Sequence, residues 1–124
     1  MQFLIVFLGA GLGGVCRYLS STTLQKLLPT LSFPVGTYFV NMLGCLLIGM
    51  IAQLAETRIA LQGDTRLFLT VGFLGGFTTF SSFGYETVQL IKDGEFLLAA
   101  FTAVSQVVLG LLFVWLGMVL AKLV

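Results

Sequence analysis

The sequence predicts an all-α integral membrane protein, four transmembrane helices in a single domain spanning residues 1–124, and three observations carry that prediction. First, 58% of the residues are hydrophobic and 9% are charged, with a mean hydropathy of +1.09. A soluble domain carries about a quarter charged residues and needs them to face water. Second, the six Lys/Arg and five Asp/Glu are placed so that 1–16, 27–55, 67–85 and 96–121 hold no formal charge. Third, at about 20 apolar residues per crossing, a chain of 124 residues accommodates four spans and little else. The same figures set soluble functions aside. A net charge of +1 supplies no basic field for nucleic acid, and the absence of His removes the commonest general base and metal ligand. Cys16 and Cys45 lie inside apolar stretches at no metal-binding spacing, and they read as small hydrophobes.

The first helix is expected near 2–27. It has no basic leader, and Arg17-Tyr18 stands where a signal peptide needs small residues, so it reads as a permanent span. Gly9-Ala10-Gly11-Leu12-Gly13-Gly14 matches a dinucleotide fingerprint, but that fingerprint needs a βαβ unit and an acid about 20 residues on. The first acid is Glu56, so the glycines read instead as a Gly9-x-x-x-Gly13 face for close helix packing. Arg17 lies about two helical turns inside this span; it either snorkels to the nearer surface or faces a partner, a carbonyl cluster or a water-filled vestibule, and in each case it can draw anions.

A loop with both prolines, Pro29 and Pro34, leads to a second helix near 35–56. Within it Asn41 is an amide in hydrocarbon, one turn after Thr37, and serves either as interhelical glue or as a donor to a permeating solute. The third helix is expected near 66–92 and carries the densest signal, Gly72-Phe73-Leu74-Gly75-Gly76-Phe77-Thr78-Thr79-Phe80-Ser81-Ser82-Phe83-Gly84-Tyr85-Glu86. Adjacent glycines and β-branched threonines make a poor helix centre, which predicts an unwound turn near 75–79 with carbonyls turned toward a cavity or an ion. Carbonyls of Gly75 and Thr78 are then able to hold a small hard cation. Thr78, Ser81, Ser82 and Tyr85 fall at i, i+3, i+4 and i+7, a hydroxyl stripe beside Phe77, Phe80 and Phe83. Glu86 is a second ionisable group in the span, open to reading as a helix-end acid, a partner or a coupling site. An Asp93-Gly94 turn leads to a fourth helix near 94–122, where Thr102 and Gln106 at i and i+4 give a small polar face.

Orientation does not follow from charge. Arg58, Arg66 and Lys122 fall on one side of the four-span layout, Lys26 and Lys92 on the other, with Arg17 inward of the latter. Cationic loops normally stay cytoplasmic. Near-balance leaves two readings: a minor loop bias suffices, or the chain inserts both ways and pairs antiparallel.

These residues resemble the Fluc (CrcB-type) fluoride-channel family. The resemblance runs through Gly13-Gly14, Arg17-Tyr18, Pro34, Gly36-Thr37 and Asn41, and is most specific over Gly75-Gly76-Phe77-Thr78-Thr79-Phe80-Ser81-Ser82-Phe83 with Glu86. It implies an antiparallel dual-topology homodimer in the bacterial inner membrane, with two fluoride pores and a central structural Na+ held by the carbonyls of Gly75 and Thr78. It also implies pore phenylalanines at Phe80 and Phe83, a pore asparagine at Asn41, a hydroxyl track of Thr79, Ser81 and Ser82, and a vestibule arginine at Arg17. Some relatives carry a fourth-helix serine where this chain has Gly110, which makes Gln106, one turn earlier, a substitute donor.

Fluoride is small and tightly hydrated, so a pore must replace its water with hydrogen-bond donors. The positive edge of a phenyl ring suits weak, multi-site contact with an anion. The function expected is passive fluoride export without covalent chemistry, the partners being fluoride, the bilayer and a second copy. The alternative is a small drug/proton antiporter of similar length; it needs a buried carboxylate, usually on the first helix, and this first helix has none.

Overall fold

A computed structural model describes all residues, Met1–Val124, as helices joined by short turns. Four segments are long and apolar enough to cross a bilayer: Gln2–Leu27, Val35–Thr57, Gly63–Lys92 and Phe96–Ala121. We label them α1 (Gln2–Leu27), α2 (Val35–Thr57), α3 and α4 (the two halves of the third span, 63–77 and Phe80–Lys92), and α5 (Phe96–Ala121).

The boundaries follow local chemistry. Pro34 precedes α2, a place where its missing N–H costs no helical bond. The third span starts at Gly63, three residues before the expected 66, because Gly63 takes a left-handed φ of 56° that turns the chain out of the Ile59–Leu61 3₁₀ turn. At the other end of that span Gly94 has φ 80°, its N–H bonds Ile91 O at 3.1 Å, and the Glu95 N–H bonds Leu90 O at 2.9 Å. That bond pattern is a Schellman stop. It assigns Gly94 to the turn, so α5 begins at Phe96, two residues later than expected.

Only 20 of 124 residues are buried, while Phe3, Phe7, Leu97 and Trp115 among many others stand exposed. Such a surface matches hydrocarbon, and in hydrocarbon helices gain little from hiding apolar groups; they associate by close contact. The contacts are accordingly backbone on backbone. α1 lies against α3: a Cβ on Gly9 would stand 2.8 Å from Gly72 Cα, one on Gly76 2.9 Å from Ala10 Cα, and one on Gly13 would overlap the Phe73 carbonyl. α2 lies along α5, where Gly49 meets the Val114 carbonyl and Gly117 meets Leu46. The Gly9-x-x-x-Gly13 and Gly72-x-x-x-Gly76 faces thus pack against each other, in the interior of a helix, and the dinucleotide fingerprint is no loop at all.

α3 is not a regular α-helix throughout. Phe68–Leu74 winds with the wider i→i+5 turn, the Gly75 N–H reaching back to Thr70 O. Such a turn holds an extra residue and rotates the downstream helix about its axis. It delivers Gly75–Phe77 to the point where the third span changes course.

Candidate functional site

Gly75 and Gly76 keep helical backbone; the chain leaves it at Thr78 (φ −91°, ψ 160°) and Thr79 (φ −152°, ψ 114°) and resumes at Phe80. The extended pair is therefore the threonines, not the glycines. β-branched residues favour that region, and Thr79 then acts as the N-cap of α4: its Oγ1 accepts from the Ser82 N–H at 3.1 Å. The Thr78 hydroxyl turns back and donates to Leu74 O at 2.9 Å. The expected Thr78, Ser81, Ser82, Tyr85 stripe is corrected on this point, since helical spacing does not run across two extended residues. The hydroxyls that meet are those of Thr79, Ser81 and Ser82, with Thr79 Oγ1 3.3 Å from Ser81 Oγ and donating to Ser82 Oγ at 3.0 Å. Tyr85 stands exposed and accepts from Gln89 instead.

Asn41 on α2 holds this segment. Its Oδ1 accepts the Thr79 N–H at 2.8 Å and its Nδ2 donates to Thr79 O at 3.1 Å, so the amide grips one residue's backbone on both sides. The second Nδ2 hydrogen goes to Gln106 Oε1 on α5 at 2.9 Å. Because a main-chain N–H only donates and a C=O only accepts, the orientation of the Asn41 amide is set by Thr79. That in turn sets Gln106, whose Nε2 is left buried with no partner although the residue is only 7% exposed. Unpaired buried donors cost about 1–3 kcal/mol. Thr102 Oγ1 and Ser105 Oγ on the same helix are buried without partners too.

Two cavities meet at this junction. The larger, about 450 Å³, is lined by Asn41, Cys45, Gly75, Thr78, Thr79, Phe80, Phe83, Gln106 and Gly110 among others, none of them charged. Phe80 and Phe83 stand with ring centroids 5.4 Å apart and planes tilted by 57°, and Phe80 is 79% exposed at the margin of the chain. The smaller, about 360 Å³, is polar: Arg17, Tyr18, Ser21, Thr37, Ser82 and Glu86 contribute to its walls. Thr79 alone lines both. In the smaller cavity Thr37 Oγ1 donates to Glu86 Oε1 at 2.7 Å, while Glu86 Oε2 is buried with no partner. Arg17 Nη1 extends from α1 to Thr78 O at 3.4 Å.

The structure therefore brings Asn41, Gly75, Thr78, Thr79, Phe80, Phe83 and Gln106 to one cavity, and Arg17 and Ser82 to the other; Ser81 is exposed beside Thr79. Sequence reading missed the Thr37–Glu86 bond, because nothing in spacing links α2 to α4, and it missed Ser105, which lies off the i, i+4 line of Thr102 and Gln106.

A Na+ at Gly75 and Thr78 would need hard oxygen ligands, and main-chain carbonyls are such ligands. The Thr79 N–H, which in an unbroken helix would close on Gly75 O, is spent on Asn41. Thr78 O accepts no main-chain bond and takes only the long Arg17 contact, so it already draws a cationic group. The donor set fits the ion.

Residues 4–118 match the family model described as "CrcB-like protein, Camphor Resistance (CrcB)". A protein of Maridesulfovibrio salexigens named "Fluoride-specific ion channel FluC" is 39% identical over 123 residues, covering 99% of this chain and 97% of the relative. Proteins of the same name from Nitrosococcus oceani and Granulibacter bethesdensis are 45% and 48% identical, covering 97% and 89% of this chain and 94% and 86% of their own lengths.

Proposed function

Since the chain belongs to the CrcB-like family, we propose that it is a fluoride-specific ion channel of a bacterial inner membrane, a multi-pass protein without enzymatic chemistry, which lowers cytoplasmic fluoride by passive export. The observation that carries this reading is the larger cavity: it gathers two phenylalanines, an Asn–Gln amide pair and three threonines, and no charged side chain. A fixed Lys or Arg there would hold fluoride too tightly to let it pass, whereas neutral donors and ring edges bind weakly at several points. Gln106 Nε2 is the donor available without breaking any bond, and the Asn41 amide becomes available if fluoride displaces Gln106 Oε1. Thr79, Ser81 and Ser82 continue the hydroxyls toward the polar cavity, where Arg17 attracts the anion.

One copy leaves Phe80 bare at its margin, so the pathway needs a second wall. An antiparallel second copy supplies it, gives two pores per dimer, and agrees with the balance of Arg58, Arg66 and Lys122 against Lys26 and Lys92. The Gly75 and Thr78 carbonyls of the two copies then hold the structural Na+, which locks the interface when bound. The drug/proton antiporter alternative finds no support among the relatives.

The test is fluoride efflux from proteoliposomes, followed with a fluoride-selective electrode and repeated with chloride. Fluoride leaves and chloride stays; Phe80→Ile, which removes a ring edge, slows efflux by at least about tenfold. Correctly inserted dimers that pass no fluoride would sink the reading.

A further inference from the structure

Arg17 connects two features that lie apart in the sequence. Its Nη1 is 3.4 Å from Thr78 O, one of the oxygens proposed above for Na+, while its side chain lines the polar cavity with Thr37, Ser82 and Glu86. Thr78 O takes no other bond. A guanidinium and a metal cation seek the same lone pairs, and two like charges a few ångströms apart repel strongly away from bulk water. Arg is also charged at every working pH, so it cannot avoid the conflict by losing a proton.

We propose that Arg17 is a built-in competitor for the cation site, a positioning residue with two places. In one its guanidinium caps the Thr78 carbonyl. In the other, taken when a cation is bound at that carbonyl, it leaves Thr78 O and turns within the polar cavity it already lines toward Glu86 Oε2, a buried acceptor with no partner of its own. Cation occupancy then sets which of the two places holds the guanidinium, and with it how much positive charge faces the polar cavity that Arg17 lines. This inference rests on the carbonyl reading of Gly75 and Thr78.

The experiment is equilibrium binding of radioactive Na+ to the purified full-length protein, at constant ionic strength with choline as the replacement cation. Arg17→Gln, which keeps length and removes charge, is expected to bind Na+ at least about fivefold more tightly than wild type. Lys26→Gln, the same charge change away from the site, is expected to leave affinity unaltered. If Arg17→Gln does not fold, Arg17→Lys carries the test: the compact ammonium lacks the planar fork that reaches the carbonyl, and binding tightens by a smaller factor. Wild-type affinity, or weaker binding, in the folded variant overturns the inference. Wild-type protein that binds no Na+ at all overturns the carbonyl site itself, a different result from a site that ignores Arg17.

Discussion

Asn41 shows how one side chain can hold a membrane helix open. Its three hydrogen bonds join α2, the extended pair and α5, and two of them need the amide's N–H donors. Asn41→Asp keeps the acceptor for the Thr79 N–H but sets a carboxylate oxygen against the Thr79 carbonyl, leaving Gln106 Nε2 as the donor able to turn toward it. We expect that variant to lose about 2–4 kcal/mol of stability, from unpaired buried groups and an unpaired charge, read as a lower midpoint of thermal unfolding in detergent. Sequence alone leaves Asn41 between glue and donor, and the structure commits both of its hydrogens to protein. The difference was not legible because its partners are main-chain atoms 38 residues away and a side chain 65 residues away, neither marked by any motif. The Thr78 hydroxyl was misplaced for the opposite reason: a rule of helical spacing was carried through two residues that are not helical.

At the level of elements, the glycines divide by environment, and the division is testable on a single helix. A Cβ at Gly13 collides with the Phe73 carbonyl, whereas one at Gly11 meets nothing within 4 Å. Gly13→Ala should force α1 from α3 at a cost of about 1–3 kcal/mol or more. Gly11→Ala should be neutral, or stabilise by up to about 1 kcal/mol through lost chain freedom in the unfolded state. Thermal unfolding followed by Trp115 fluorescence distinguishes the two. The helices themselves were readable to within about three residues, since charge-free runs, prolines and Asp93-Gly94 are strong local signals. The wide turn at Phe68–Leu74 was not, because Phe-Leu-Thr-Val-Gly-Phe-Leu reads as an ordinary apolar helix; the i→i+5 winding lies where the third span packs against α1.

For the whole molecule, the near-even distribution of cations makes orientation a property that a single residue can tip. A reporter fused after Val124 should be found on both membrane faces in comparable amounts. Adding one cation to the second loop, as in Gln62→Lys, should bias insertion to one face and reduce fluoride flux with it, because antiparallel pairs become scarce. Unchanged flux alongside a fully biased reporter would refute antiparallel pairing. The four-span architecture was legible from hydropathy; the second wall proposed beside Phe80 lies outside what one chain contains. The junction at Thr79 has an electrical meaning as well. Mobile ions in a wet hollow short-circuit the field there, so once both cavities fill with water a bilayer's voltage falls chiefly across what separates them, and Thr79 is the residue that lines both. At about 2.3 kcal/mol per elementary charge for each 100 mV, most of the work that the membrane potential does on a crossing anion is then delivered within the few ångströms around Thr79. On the proposed pathway, voltage would act on the anion beside the residue whose backbone Asn41 holds.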